Sequence, residues 1–400
     1  MHVLREWKAA RTLLISVVIF LLAHLALLIG IATPEKFVFD EAHYVPAARQ
    51  MLESASSEPM LNTMHPPLAK QLIALSIRLF GDNSFAWRYP SALFGALAVV
   101  AIYLCGLAMF ASHGPAIAAA LIAFFNQMLF VIARTAMLDI FALTFGLSTA
   151  CKWSGLFPLA VCIAIVVTIR LMRGWRVQFA DGRASDWYRP DLWPDFRFHH
   201  LAACFVLAPA ISYFADFITL YGLSLSDIIA AQRRIFNDNT TTEIAGHTYM
   251  SSWRSWPFLV RPVWFLFDKV GDDRVQAVVL LGNPLVLWPA LPAIAICLRD
   301  WIAERRGDAF LILSFYFGTW LVWALLPRTL GFLYYYLPPA SLASLALVYA
   351  LRRRGTPGWL LWAYVAIAGA SFVAMLPISA AFVGTTMRTF SRLIIFQNWI

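Results

Sequence analysis

The chain has 400 residues, 61% of them hydrophobic and only 13% charged, with a mean hydropathy of +0.70. A soluble domain carries roughly 25% charged residues, so this composition excludes a water-soluble globular protein and describes an integral membrane one. The formal charge of +9 would point to nucleic acid in a soluble chain, but membrane loop topology accounts for it and no nucleic-acid partner is expected.

In chain order, membrane spans are predicted near 12–31, 91–110, 115–132, 154–172, 201–221, 275–298, 309–326, 333–351 and 359–381. Arg5, Lys8 and Arg11 flank the first as in a signal peptide, but its apolar part is too long for an h-region and no small-x-small cleavage site follows. An uncleaved anchor is expected. The outer loop 32–90 holds two amphipathic pieces, Glu41 to Leu52 and Pro67 to Phe80, expected to lie along the membrane surface as interfacial helices. Pro46 should kink the first, and Pro66-Pro67 forces an extended entry into the second.

Residues 137–172 form a largely apolar stretch that Lys152 interrupts, and an uncompensated cation at mid-membrane is costly. The cheapest arrangement sets Lys152 at the outer surface, lets Trp153 to Met172 cross once, and dips Met137 to Ala150 into the outer half. Arg173 to His200 reads as a solvated inner connector whose charges largely cancel. Placing the N-terminus in the cytoplasm puts Arg299, Arg305, Arg306 and Arg352 to Arg354 inside, as the positive-inside rule requires. The expected organisation is a membrane module over 1–221, an outer loop over 222–274 and a four-span module over 275–400. Cys105, Cys151, Cys162, Cys204 and Cys297 are odd in number and form no CxxC, so neither a disulfide framework nor a zinc site is expected.

Titratable groups gather at the outer ends of the spans. FDEAHYV (Phe39 to Val45) opens the first outer loop with Asp40 and Glu41, which either cap an interfacial helix or, with a pKa raised beside lipid, accept a proton. Adjacent carboxylates on a helix point about 100° apart and can take separate jobs. MHPPLAKQL (Met64 to Leu72) follows, with His65 fixed before two prolines. Arg134 ends the third span; it either snorkels to headgroups or uses its planar fork on a phosphate, with Asp139 five residues on to orient it or the acceptor. Then come KWSG from Lys152 and the segment from His247 through Trp253 to Trp256-Pro257, an aromatic belt or a groove. Arg328, before FLYYYLPP, is the last candidate. No glycine-rich phosphate loop, HExxH or Ser-His-Asp order is present, and no metal or cofactor is expected.

In this order, the acidic pair, HPPLAK, Arg-x-x-x-Leu-Asp, KWSGLF, W-x-x-WP and FLYYYLP together resemble the protein O-mannosyltransferases from about residue 35 to the C-terminus. The resemblance implies an all-α, polytopic membrane bundle of the GT-C glycosyltransferase fold, a polyprenyl-phosphate mannose donor, and a Ser/Thr-containing protein acceptor. By the same resemblance Asp40 is the catalytic base and Glu41 its acidic neighbour, His65 belongs to the donor or acceptor pocket, and Arg134 binds the donor phosphate. Asp139, Lys152 and Arg328 are expected beside the donor. Tyr44, His247, Trp253 and Trp256 are expected in an acceptor groove. Residues 222–274 are too few for the glycan-binding insert of eukaryotic members, which implies a bacterial-type enzyme in the cytoplasmic membrane with its site on the outer face. About two spans that the family carries between the Leu-Asp segment and KWSGLF are missing near 145–146.

The expected reaction inverts C1 of mannose: Asp40 takes the hydroxyl proton, and the phosphate leaves without needing one. Alternatives are a lipid-phosphate sugar transferase with a lipid or glycan acceptor, such as an aminoarabinose transferase, a transporter of lipid-linked sugars, or an inactive truncated relative.

Overall fold

The computed structural model describes residues 2–53, 61–143, 151–174, 210, 213–214, 217–218, 224–240, 246–326, 330–353 and 355–400. The predicted span 201–221, most of the connector 173–200, the deletion point near 145–146 and Arg328 therefore lie largely or wholly outside the described residues.

Helix α1 (His2–Leu28) is the first anchor. Its long side chains Leu14, Leu21, Leu22 and Leu25 are exposed, as a lipid-facing surface requires, while Leu27 is buried. The outer loop then forms α2 (Glu41–Gln50) and α3 (Leu68–Phe80), within two residues of the predicted interfacial pieces. On α3, Ala69, Ile73, Ala74 and Ile77 recur at helical spacing and are buried, packed on the next helix, whereas Leu75 and Leu79 stay exposed.

Asn83 caps that helix, α4 (Ser84–Phe110), by accepting from the Ala86 amide. Next come α5 (His113–Phe124) and α6 (Gln127–Ala133), bent by 68° at Phe125-Asn126. The span expected over 115–132 is thus broken in the structure. Asn126 caps α6: its Oδ1 accepts from Met128 N, an amide that the broken helix frees, and also from Asn283 N before the later helix that starts at Pro284. Gly95 allows α4 to touch α6, since a Cβ there would lie 2.4 Å from Ala133 Cβ.

Helix α7 (Leu156–Gly174) follows KWSG, and α8 (Leu225–Thr240) precedes the W-x-x-WP segment. A small antiparallel sheet of β1 (Val263–Lys269), β2 (Arg274–Leu280) and, after the last span, β3 (Thr385–Thr386) adds to an otherwise helical protein. The predicted span start at residue 275 is thereby corrected. The strand holds the β-branched Val275, Val278 and Val279, is preceded by a turn at Gly271 (φ 73°), and ends before Asn283-Pro284, a cap and first-turn proline that start α9 (Pro284–Glu304).

α10 (Gly307–Trp320), α11 (Leu337–Leu351) and α12 (Gly358–Ser379) complete the bundle, followed by the short α13 (Met387–Leu393). α11 is the central helix, almost wholly buried against α5, α9 and α10. Among the described residues five helices are long and apolar enough to cross a membrane, or six if the bent α5–α6 pair is one span. The protein is a multi-pass membrane bundle.

Candidate active site

The site is built where α1 ends and α2 begins. Phe39 sits in the left-handed region (φ 50°), an uncommon conformation for a bulky residue. Its ring compensates by stacking on Phe265 at 4.5 Å and meeting His247, Phe332 and Tyr334 edge-on. This fixed corner sends the next two carboxylates to different tasks.

Glu41 is fully buried. It accepts from Val38 N and Ala136 N, both at 2.9 Å, and from Arg88 Nε at 2.8 Å and Nη2 at 2.9 Å. Arg88, in the first turns of α4, spends its remaining donors on the carbonyls of Ile31, Pro34 and Lys36. The pair thus ties loop 31–41 to α4 and to the turn after α6. Sequence reasoning missed Arg88, although a cation in an apolar helix asks for a buried partner.

Asp40 is half-buried and makes one side-chain hydrogen bond among the described residues, from Tyr44 OH to Oδ2 at 3.2 Å. Desolvation raises its pKa above the ordinary 3.8; Lys152 opposes this, Asp139 adds to it, and His43 and the Tyr44 hydroxyl lower it. Lys152 is therefore the cation that acts most on Asp40. It is itself buried, with Nζ at 2.8 and 2.7 Å from the two Asp139 oxygens and over the rings of Tyr335 (5.1 Å) and Tyr334 (5.4 Å). A cleft beside this ion pair is lined by Asp139, Ser154, Phe157, Thr319, Trp323 and Tyr335.

Arg134, expected opposite Asp40, donates Nη1 to the carbonyls of Leu27 (2.6 Å) and Ile29 (2.5 Å), closing the end of α1, and stacks over Phe130. Its Nη2 makes no hydrogen bond among the described residues and lies beside Gly30, on a cleft shared with Arg88, Thr33, Thr135 and Ser379. Two residues on, the Ala136 amide binds Glu41, while the cleft that Arg134 lines is a different one from that beside Lys152.

His65 meets the Tyr44 ring at 5.9 Å, and its carbonyl accepts from the buried Lys70 Nζ at 3.0 Å. His247 packs with Phe39, Tyr249 and Phe332. Trp253 is partly buried and packs edge-on against Trp320, whose indole donates to its carbonyl. Trp256 is buried, its N–H taken by Ser251 Oγ and its ring against Trp323 and Tyr335, so it packs inside rather than facing a groove. Arg328 lies outside the described residues.

Three sequence profiles match along the chain: two described as dolichyl-phosphate-mannose-protein mannosyltransferase, over residues 17–87 and 64–169, and the C-terminal four-transmembrane region of protein-O-mannosyltransferase over 224–399. The chain is 25% identical to a polyprenol-phosphate-mannose–protein mannosyltransferase of Mycobacterium tuberculosis, covering 83% of this chain and 78% of that one. The Corynebacterium glutamicum protein of the same name is also 25% identical, with 74% of each chain covered. The structure resembles that of the S. cerevisiae protein O-mannosyltransferase Pmt1-Pmt2 complex bound to the sugar donor, with a TM-score of 0.75 at 14% identity over 98% of this chain and 93% of that one. It also resembles ArnT from Cupriavidus metallidurans bound to undecaprenyl phosphate, at 0.54 and 15% over 90% and 70%. These likenesses bear out the expected GT-C membrane fold.

Proposed function

We infer that this chain, which belongs to the protein O-mannosyltransferase family, transfers mannose from a polyprenyl-phosphate donor to Ser or Thr hydroxyls of proteins. The acceptor is met at the outer face of the cytoplasmic membrane, and C1 is inverted. The observation that carries the reading is Asp40: a half-buried carboxylate with one oxygen engaged by Tyr44, the other without a hydrogen bond among the described residues, beside the Lys152–Asp139 pair.

In this mechanism Asp40 Oδ1 takes the proton as the hydroxyl oxygen forms its bond to C1. The C1–phosphate bond breaks on the opposite face, and the bonding pair leaves on the phosphate, which needs no proton. One base therefore suffices, and its raised pKa makes it a stronger base than an ordinary aspartate. Lys152 and Arg134, whose Nη2 makes no hydrogen bond among the described residues, are cations offered to the growing phosphate charge, where electrostatic stabilisation is worth most.

The proposed side of the membrane is supported by α11. Its first residues adjoin Tyr335, which faces Lys152, while Arg352 and Arg353 mark its other end, where Arg353 approaches Asp300 at 3.3 Å. Arginines on one side and the site on the other favour a cytoplasmic arginine cluster and an outward site.

The reading is tested by incubating purified protein with labelled polyprenyl-phosphate mannose and a Ser/Thr-rich peptide, and separately with lipid A. Label on peptide hydroxyls supports it; label on lipid alone replaces it with a lipid-directed transferase.

A further inference from the structure

We propose that Tyr44 and His65 are positioning residues for the base: Tyr44 holds one oxygen of Asp40 so that the other is presented to the acceptor, and the His65 ring holds Tyr44. The inference rests on Asp40 being the base.

Asp40 stands at the N-cap of α2 and Tyr44 lies one turn on, so the phenol reaches the carboxylate directly, OH to Oδ2 at 3.2 Å. Tyr44 is only 3% exposed, which leaves no ring face for an acceptor peptide. A buried phenol bonded to one carboxylate oxygen restricts rotation of the group and leaves the basic lone pairs of Oδ1 in a set direction. Behind the phenol, the His65 ring meets the Tyr44 ring at 62°. The turn carrying His65 is fixed in turn, because Lys70 Nζ, 1% exposed, donates to the carbonyls of Asn62 (2.6 Å) and His65 (3.0 Å). Lys70 to His65 to Tyr44 to Asp40 is thus one continuous line of contacts, and it gives HPPLAK a task in orienting the base.

Lys152, Asp139 and His43 also act on Asp40, and Tyr334 is coupled to it. Tyr44→Phe leaves all four in place and keeps the ring that packs on His65, so an altered Asp40 titration belongs to the lost hydroxyl. A hydrogen bond to the ionised form favours that form. Its removal therefore shifts Asp40 titration to higher pH.

The experiment pairs pH-difference infrared spectra of the carboxyl band that Asp40→Asn removes with pH profiles of transfer. Tyr44→Phe is expected to move the band's titration and the acid limb of kcat upward, with kcat about tenfold lower at acidic pH and donor KM unchanged. His65→Ala is expected to move both in the same direction by less. A Tyr44→Phe protein whose Asp40 band titrates as in the wild type overturns the proposal, and a His65→Ala protein that changes donor KM alone removes His65 from it. The infrared arm needs no turnover, so a wild type that transfers no mannose would defeat the transferase reading while the Tyr44 result is still read.

Discussion

Arg88 closes on Glu41 through two parallel hydrogen bonds, Nε to Oε1 at 2.8 Å and Nη2 to Oε2 at 2.9 Å, with both side chains at most 1% exposed. Among the described residues the neighbouring carboxylate of Asp40 has no such partner. Two adjacent acids therefore divide the work: one locks the loop and the other stays available.

Removing one partner of a buried pair strands the other charge. Arg88→Ala should therefore destabilise the protein by about 3–5 kcal/mol, measured as loss of thermal stability in detergent. Transfer should fall with it, since loop 31–41 carries Asp40. A stable, active Arg88→Ala protein would show that the loop is held by other means.

Asp40 sets the pH dependence of turnover. Its pKa is raised by burial, so the acid limb should lie above the ordinary aspartate range, activity falling as the pH drops and the base is protonated. Lys152 is the strongest influence holding that pKa down. Lys152→Met should move the limb further up, and a limb left in place would separate the two groups.

Arg134 has both a structural and a chemical side. Arg134→Ala should cost about 1.5–3 kcal/mol through its bonds to Leu27 and Ile29 and should also raise the donor KM. Arg134→Lys keeps the charge without the fork and should recover less than half of the lost donor affinity. A donor KM unchanged in both variants would confine Arg134 to closing α1.

Gly95→Ala would push a methyl to 2.4 Å from Ala133 Cβ, next to the turn that carries Arg134. Overpacking of this kind typically costs about 1–3 kcal/mol. The paired change Ala133→Gly should restore most of the stability, and a double variant no better than the single one would place the strain elsewhere.

The long helices were legible because uninterrupted apolar runs leave a membrane segment few alternatives, although α4 starts at its Asn83 cap rather than near the expected residue 91. Two boundaries were not. Val275 to Leu281 merges with the apolar start of α9 in any hydropathy window, and only Asn283-Pro284 separates strand from helix. Asn126 breaks what reads as one span, because its side chain serves Asn283, 157 residues away, a relation that no local pattern carries. In the site, the acidic pair, Asp139 and Lys152 were picked out as chemistry-bearing. Their pairing was not: Lys152, expected beside the donor, joins Asp139, and Arg88, outside every motif, takes Glu41. Spacing along helices reveals neighbours, whereas contacts across the bundle depend on packing.

The central claim is that Asp40 removes the acceptor proton. Because burial raises its pKa, the ionised form burdens the fold: the penalty is absent below the unfolded value and grows as pH rises through the folded one. Asp40→Asn should therefore be at least as stable as the wild type at neutral pH. The decisive measurement is peptide mannosylation by Asp40→Asn beside its melting temperature and donor affinity. The account predicts transfer reduced at least a thousandfold with both other quantities retained; transfer within tenfold of the wild type would contradict it.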